Sequence, residues 1–290
     1  MKLLLKLILV LMFVAGCMPS VCARTRQLVI VHTNDTHSQI QPLSPFLVDT
    51  LQAGKGGFLR RAALIRSLRE RYPDMLLFDS GDFSQGSAYY NLFKGEVEVR
   101  LMNEMKYDAV TLGNHEFDNG LDNMRHIFSQ AAFPVVNANY DFSGTVVGDI
   151  VRQSVVLERN GLRIGVFGLG PKLEGVSAAA NYAGVVYHDP LTAANQTARQ
   201  LKENQHCDVV ICLSHLGWDV GEVNDSLLIP STHDIDVVLG GHSHTLFDKP
   251  KIIYNADGHK VVCNQLGKNG IYVGLLTVTF QQQAAVFDKR

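Results

Sequence analysis

Five short apolar runs in this chain each lead directly into a cluster of Asp, Asn and His side chains. The runs span residues 28–31, 75–78, 110–112, 209–213 and 235–239. Segments with helical spacing of apolar residues lie between them, so strands and helices alternate along the chain. In open α/β sheets, ligands bind outside the carboxyl ends of the strands. The sequence therefore predicts a layered α/β fold that gathers the polar clusters at strand ends.

The polar clusters contain the side chains that bind metal ions. They read His32-Thr33-Asn34-Asp35-Thr36-His37, Gly81-Asp82, Gly113-Asn114-His115-Glu116-Phe117-Asp118, Ser214-His215-Leu216-Gly217 and Gly241-His242-Ser243-His244. Carboxylate, carboxamide and imidazole suit zinc, manganese or iron, and the lack of nearby cysteine argues against a structural zinc cage. The candidate ligands are Asp35, His37, Asp82, Asn114, His215, His242 and His244.

Seven ligands are too many for one tetrahedral ion. They suit two divalent ions roughly 3.5–4 Å apart that share one carboxylate, and Asp82 is the natural shared ligand. Such a pair lowers the pKa of a bound water to about 7 and clamps the oxygens of an in-line displacement at phosphorus. Hydrolysis of phosphate esters by attack of hydroxide is therefore the first hypothesis.

His115 stands beside a candidate ligand but is not needed as one. Asp118 is close enough in sequence to accept one ring hydrogen of His115 and so to orient the imidazole. An oriented imidazolium stabilises developing charge and protonates a leaving alkoxide. We predict His115 and Asp118 as catalytic residues.

In order and spacing, the five clusters resemble the calcineurin-like metallophosphoesterases, over about residues 28–280. The forms HTNDTH, GNHEFD and GHSH are most similar to the 5′-nucleotidase branch, which includes UDP-sugar and 2′,3′-cyclic nucleotide hydrolases. The resemblance implies one metal ion bound by Asp35, His37, Asp82 and His244. It implies a second ion bound by Asp82, Asn114, His215 and His242, with His115 and Asp118 as the catalytic pair.

The pattern of the remaining chain predicts an α/β/β/α sandwich of two sheets between helices. Helices are expected at residues 58–72, 95–106, 119–130 and 190–205. Strands 153–158 and 162–167 flank Asn160-Gly161, a hairpin signal, and further strands are expected at 251–254, 260–264 and 271–280. The resemblance implies the same four-layer fold. We expect a single catalytic domain over residues 24–290.

Residues 1–23 have the features of an export leader. Lys2 and Lys6 precede an apolar stretch at residues 7–15, which is too short to span a bilayer because a spanning helix needs about 20 residues. Residues 14–17 resemble a lipobox that would leave Cys17 as a lipid anchor, and residues 21–23 offer a competing cleavage site. We predict an exported protein, periplasmic or a membrane-anchored bacterial lipoprotein. Mass spectrometry of the mature amino terminus tests the anchor, and an unmodified start at Arg24 would contradict it.

The expected substrate is a small phosphate ester, most simply a nucleotide. Fuller members of the branch carry a C-terminal nucleoside-binding domain, and because this chain ends at Arg290, just after its last predicted strand, we expect that domain to be absent. Two alternatives follow: a broad phosphomonoesterase or phosphodiesterase, or a separately encoded nucleoside-binding partner chain. Related thiosulfohydrolases supply a further enzyme alternative, and a surface binding protein with a vestigial metal site a non-enzyme one. The net charge of −2 and scattered basic residues argue against a nucleic-acid duplex as partner.

Overall fold

The computed structural model describes residues 25–281, so the predicted leader and Cys17 lie outside the described residues. By its internal contacts the chain divides into two units. Residues 28–277 form one unit, which contains the site discussed below, and the described part of the other unit is residues 25–27 and 278–281. None of the helices within residues 25–281 has the length and apolar character needed to cross a bilayer.

Most of the described strands form two sheets. The strands are β1 (Thr25–Thr33), β2 (Leu76–Asp79), β3 (Ala109–Thr111), β4 (Val135–Val136), β5 (Tyr140–Asp141), β6 (Val151–Arg152), β7 (Ser154–Arg159), β8 (Leu162–Leu169), β9 (Val186–Tyr187), β10 (Val209–Ser214), β11 (Val237–Leu239), β12 (Lys251–Tyr254), β13 (Lys260–Asn264) and β14 (Gly274–Gln281). The first sheet has the order β14-β1-β2-β3-β4-β6 and the second β12-β13-β11-β10-β8-β7, while β5 and β9 form a small ribbon.

The centre of each sheet is parallel. Strands β1, β2, β3, β4 and β6 run parallel in the first sheet. Strands β8, β10, β11 and β13 run parallel in the second, and β7 and β12 pair with it antiparallel at its two edges. Because the central strands of each sheet share one direction, their carboxyl ends lie at one edge of that sheet.

Four of the helices occupy the predicted positions. The described helices are α1 (Phe58–Arg71), α2 (Ala88–Phe93), α3 (Glu96–Met105), α4 (Gly120–Phe128), α5 (Pro190–Arg199) and α6 (Asp225–Leu228). Helix α5 begins where Asp189 accepts a hydrogen bond from the Thr192 amide and Pro190 occupies the first turn, a combination that favours helix initiation. The π-helical turn Gln200–Asn204 continues α5 to the predicted end. The short helices α2 and α6 were not predicted.

Alternate strand residues pack in different directions, as a four-layer fold requires. Leu77 in β2 belongs to the apolar cluster that includes Ile65 of α1 and Met102 of α3. Val210 in β10 belongs to a second cluster, which contains residues of α5. Their neighbours Phe78 and Ile211 are fully buried but belong to neither cluster, and β3 and β4 contact β8 across the sheets. The predicted α/β/β/α sandwich is confirmed.

The predicted hairpin is present between β7 and β8. Asn160 and Gly161 have φ angles of 52° and 69°, the left-handed conformation that a two-residue type I′ turn requires. Within the described residues Cys207, Cys212 and Cys263 are buried and carry free thiols.

Candidate metal centre

The seven predicted ligands come together where strands of both sheets end. Asp35 and His37 follow β1, Asp82 follows β2, Asn114 follows β3, His215 follows β10, and His242 and His244 follow β11. The site is therefore shared between the two sheets. Residues separated by more than 200 positions in sequence face each other because the carboxyl ends of both sheets meet here.

One group of possible ligands consists of Asp35, His37 and His244. The Nε2 atoms of His37 and His244 lie 2.9 Å apart. They lie 3.8 Å and 3.4 Å, respectively, from Oδ1 of Asp35. Two ring nitrogens and a carboxylate oxygen thus converge on a space of the size that a divalent cation fills.

A second group consists of Asp82, His215 and His242, with Asn114 beside them. The Oδ2 atom of Asp82 lies 3.0 Å from Nε2 of His215. The Oδ1 atom of Asn114 lies 3.0 Å from Nδ1 of His242. Nδ1 of His215 is 2.6 Å from the Ser80 carbonyl, and a hydrogen bond there leaves Nε2 as the ring nitrogen that faces Asp82.

The two groups adjoin each other. His37 and Asp82 also form a group with His115, all three within reach of one ion. The Nε2 atom of His215 is 3.9 Å from Oδ1 of Asp35, a member of the first group. Asp82 and His37 each belong to two of the three ligand groups. Of the two, only Asp82 has the two carboxylate oxygens that suit a ligand shared between two ions.

The pKa values of two predicted ligands are shifted toward the forms that bind cations. Burial raises the pKa of Asp82, but the contact with His215 and the charges of His215, His115 and His37 together outweigh burial, and the Asp82 pKa lies below its usual value. Burial and the charge of His215 lower the pKa of His242 to about 4. An ionised carboxylate and a neutral imidazole are the protonation states that coordinate a metal ion.

Five of the seven ligands have a left-handed backbone. The φ angles are 47° at Asp35, 45° at His37, 54° at Asp82, 71° at His242 and 55° at His244. This conformation is uncommon for residues other than glycine and costs on the order of 1–3 kcal/mol per residue. Its concentration at one site is typical of a functional constraint that the surrounding structure holds in place.

Two glycines allow the loops to approach closely. A Cβ atom at Gly113 would lie 2.1 Å from Oδ1 of Asp82, and one at Gly81 would lie 2.5 Å from the amide nitrogen of Gly113. Any larger residue at either position would push Asp82 or its loop away from the other ligands. These two glycines are therefore required by the geometry of the site.

Glu116 joins the loops that carry Asp82 and Asn114. Its carboxylate accepts hydrogen bonds from the amides of Asp82 at 2.9 Å, Ser84 at 3.1 Å and Gly113 at 2.6 Å. Burial and the charge of Asp82 raise the pKa of Glu116 to about 7. Glu116 therefore supports the loops that carry Asp82 and Asn114.

His115 and Asp118 lie at the edge of the ligand groups. Nδ1 of His115 is 2.8 Å from Oδ2 of Asp118, and both side chains are 28% exposed. Burial lowers the pKa of His115, but the hydrogen bond to Asp118 and the charge of Asp82 outweigh it and raise the pKa above its usual value. Because His115 also falls in a ligand group with His37 and Asp82, its geometry is compatible with catalysis and with metal binding.

Three histidines outside the predicted ligand set have separate surroundings. Nδ1 of His233 lies 2.8 Å from the Asp257 carboxylate, and His126 is an exposed residue of α4. His32 is fully buried, and its Nε2 lies 2.9 Å from Nδ2 of the Asn264 side chain. None of these three belongs to a ligand group in the described residues.

A cavity of about 660 Å³ borders the ligand His242. We call it the His242 cavity, and its lining includes His242, Lys172, Glu174, Val176, Val220 and Val223. The three valines are 38–40% exposed. Ser177, in the same loop as Val176, donates a hydrogen bond of 3.0 Å to the carbonyl of Asn114. The cavity therefore lies between a metal-ligand loop and a loop attached to the segment that carries His115.

Known proteins share this sequence and this arrangement. A family model for calcineurin-like phosphoesterases matches residues 28–246. The chain belongs to the calcineurin-like phosphoesterase family. Human 5′-nucleotidase is 30% identical over 281 residues, which cover 90% of this chain and 48% of the human protein.

Solved structures agree with this family membership. The 5′-nucleotidase precursor of Thermus thermophilus is 32% identical, with a TM-score of 0.79 over 88% of this chain and 52% of that protein. The NAD nucleotidase of Haemophilus influenzae is 26% identical, with a TM-score of 0.78 over 89% of this chain and 54% of that protein. This phosphoesterase thus spans about half the length of the relatives it matches.

The residues of this phosphoesterase fit the dinuclear metal centre that its family uses. Carboxylate, carboxamide and imidazole donors match a divalent cation of borderline or hard character. The Nε2 atom of His215 is fully buried and lies 3.0 Å from the Asp82 carboxylate. Burial lowers the pKa of His215, but the contact with Asp82 and the charges of Asp82 and Asp35 outweigh burial and raise that pKa to about 10, so a bound cation would take the place of the proton between these two side chains.

Proposed function

We propose that this protein is a dinuclear metal-dependent phosphoesterase that releases phosphate from nucleotides. The observation that carries the proposal is the convergence of seven ligand side chains from two sheets beside the His115–Asp118 pair. Asp35, His37, Asp82 and His244 would hold one cation, and Asp82, Asn114, His215 and His242 the other. Zinc, manganese and iron all suit these donors.

The chain's own residues then have separate tasks. A pair of divalent cations at such a site acidifies water and neutralises charge on phosphoryl oxygens. Asp118 holds the Nδ1–H of His115, so Nε2 of His115 is the atom that carries a proton to the leaving oxygen. Asp82, whose pKa lies below its usual value, would supply an anionic ligand to both cations.

We place the organic part of the ester in the His242 cavity. Its volume of about 660 Å³ lies within the ~300–1,000 Å³ of small-molecule sites. Partly exposed valines line it, and apolar surface beside a polar centre suits a planar base. A leaving group that receives its proton from His115 lies near the 114–118 segment. The hydrogen bond from Ser177 to Asn114 connects the cavity wall to this segment.

The test is a substrate panel with the purified chain loaded with manganese or zinc. The panel contains AMP, UMP, 2′,3′-cyclic AMP, UDP-glucose, NAD, thiosulfate and ethyl phosphate. Phosphate release is measured for AMP, UMP and ethyl phosphate, sulfate release for thiosulfate, and the organic products by chromatography for the other three. We expect turnover of AMP that chelation abolishes and added metal restores. Val220→Trp should raise the KM for AMP about 10-fold or more by filling the cavity, with little change for ethyl phosphate.

Val146→Trp is the matched control, because Val146 is 45% exposed and does not line the cavity. Equal kcat/KM values for AMP and ethyl phosphate in the wild-type chain would support a broad esterase, or specificity supplied by a separately encoded nucleoside-binding chain. Release of sulfate alone would support the thiosulfohydrolase alternative. Two bound metal ions without turnover of any ester would overturn the proposed function and favour a binding protein.

A further inference from the structure

The segment that follows β13 contacts the ligand loops of both sheets. We call residues 264–269 the bracket segment. It lies beyond residue 246, where the family match ends, and it contains none of the seven predicted ligands. Its backbone and side chains make hydrogen bonds on either side of the metal centre.

Gln265 binds the loop that carries His242 and His244. Its Nε2 donates to the Gly241 carbonyl at 2.7 Å, and its Oε1 accepts from the Thr245 amide at 2.6 Å and from the Ser243 hydroxyl at 2.8 Å. The residue is only 1% exposed. Gln265 therefore contacts the residues before, between and after the two histidine ligands.

The two histidines need this support because of their backbone conformation. His242 and His244 both have positive φ angles, at 71° and 55°, and an unsupported loop would relax away from them. An amide is the side chain that donates to Gly241 and accepts from Thr245 at the same time. A carboxylate supplies the acceptor alone, and an aliphatic side chain supplies neither.

The same segment also binds the loop after β1. The side chain of Asn34 accepts from the Leu266 amide at 3.0 Å and donates to the Gly267 carbonyl at 2.9 Å and to Oδ2 of Asp35 at 2.7 Å. The Asn269 amide donates to the Asp35 carbonyl at 2.7 Å. The bracket segment thus joins the loop of Asp35 and His37 to the loop of His242 and His244.

We propose that Gln265 is a positioning residue that sets the geometry of the cation bound by Asp35, His37 and His244. The inference rests on the proposed metal-binding role of these side chains. Gln265 acts by holding His244 at the distance from Asp35 and His37 that one ion bridges. Asn34 fixes the other side of the same site, so the bracket segment determines the separation of the two loops.

Replacing Gln265 should reduce metal affinity more than it reduces the stability of the fold. In Gln265→Leu we expect metal affinity at the site of Asp35, His37 and His244 to fall about 10–100-fold. This is the range found when groups that orient metal ligands are removed. The second site should change less. It shares His242 with the loop that Gln265 holds, but its other proposed ligands, Asp82, Asn114 and His215, lie on loops outside the contacts of the bracket segment described above, whereas Asp35 of the first site is bonded to that segment. In Gln265→Glu, the carboxylate cannot donate the hydrogen bond to Gly241, so metal affinity should fall in this variant too.

The experiment titrates the metal-free full chain with zinc by calorimetry and with cobalt by visible absorption. Asn255→Leu is the matched control, since Asn255 is also a buried amide. It accepts from the Asp257 and His259 amides at 3.0 Å and 2.8 Å without bonding to the ligand loops. Thermal unfolding of each metal-free variant gives the loss of stability, and Gln265→Glu replaces Gln265→Leu in every measurement if the latter does not fold.

A selective loss of zinc affinity and an altered cobalt spectrum in the Gln265 variants, with both unchanged in Asn255→Leu, would support the proposal. Wild-type zinc affinity at both sites in a folded Gln265 variant would overturn it and leave the proposed function intact. An equal loss in the Asn255 control would also overturn it, because general destabilisation would then explain the effect. If the wild-type chain binds no metal, the proposed function itself fails.

Discussion

Replacing His115 by alanine should lower kcat by about 10²–10⁴-fold while both cations stay bound. The reason is the position of the His115 ring. Its Nδ1 lies 2.8 Å from Oδ2 of Asp118, and its Nε2 is turned away from that carboxylate. Removing it takes away a proton donor to the leaving oxygen. The measurement is steady-state hydrolysis of AMP together with metal analysis of the same preparation.

His126→Ala is the control for this change, because His126 is an exposed histidine of α4 and belongs to none of the ligand groups. Asp118→Asn should show a smaller loss in kcat, since His115 remains but loses its anionic partner. A preparation of His115→Ala with fewer bound ions than the wild type would show that His115 is a ligand with His37 and Asp82, the role that the geometry also permits.

Asp82→Ala should lose at least one metal ion per chain and all measurable turnover. Asp82 is a member of two of the three ligand groups, and its carboxylate is buried beside His215. Its removal takes an anionic donor from both proposed cation sites at once and leaves the charge of His215 without its nearest partner. Metal content after dialysis, measured by mass spectrometry, gives the result directly.

Asp79→Asn is the matched control for Asp82. Asp79 is also fully buried and lies in the preceding strand, where it accepts hydrogen bonds from Thr33 and from the Gly81 amide. It belongs to no ligand group among the described residues, so its variant should retain both ions. Wild-type metal content in Asp82→Ala would contradict its proposed role as the shared ligand.

The fold was largely predictable because its elements have local signals. Apolar runs and helical spacing predicted α1, α3, α4 and α5, and Asn160-Gly161 predicted the β7–β8 hairpin. The missed helix α2 is only six residues long, and Ser87, which caps it, accepts hydrogen bonds from the amides of Tyr89 and Tyr90. Its six residues are too few to show a helical period. The last strand begins at Gly274, three residues later than predicted.

The convergence of the candidate ligands was predictable, but the contacts that support them were not. Each candidate ligand is a residue type that binds metal ions and follows a strand-length apolar run. Gln265 also follows a predicted strand, but an amide at such a position has many possible roles. Its bonds to residues 241–245 depend on two loops that come together only when β11 and β13 pair in the sheet. Asn34 lay within a recognised cluster, yet its partners 232 and 233 residues away could not be identified there.

The sequence by itself determined which side chains meet, because the direction of parallel strands brings their carboxyl ends to one edge whatever the details of packing. Only the tertiary structure decided how they meet. The left-handed backbones at Asp35, Asp82 and His242, and the placement of Asp82 in two ligand groups, depend on contacts between distant loops. Ligand identity is a local property of the chain, whereas ligand distance is set by the packing of two sheets against each other.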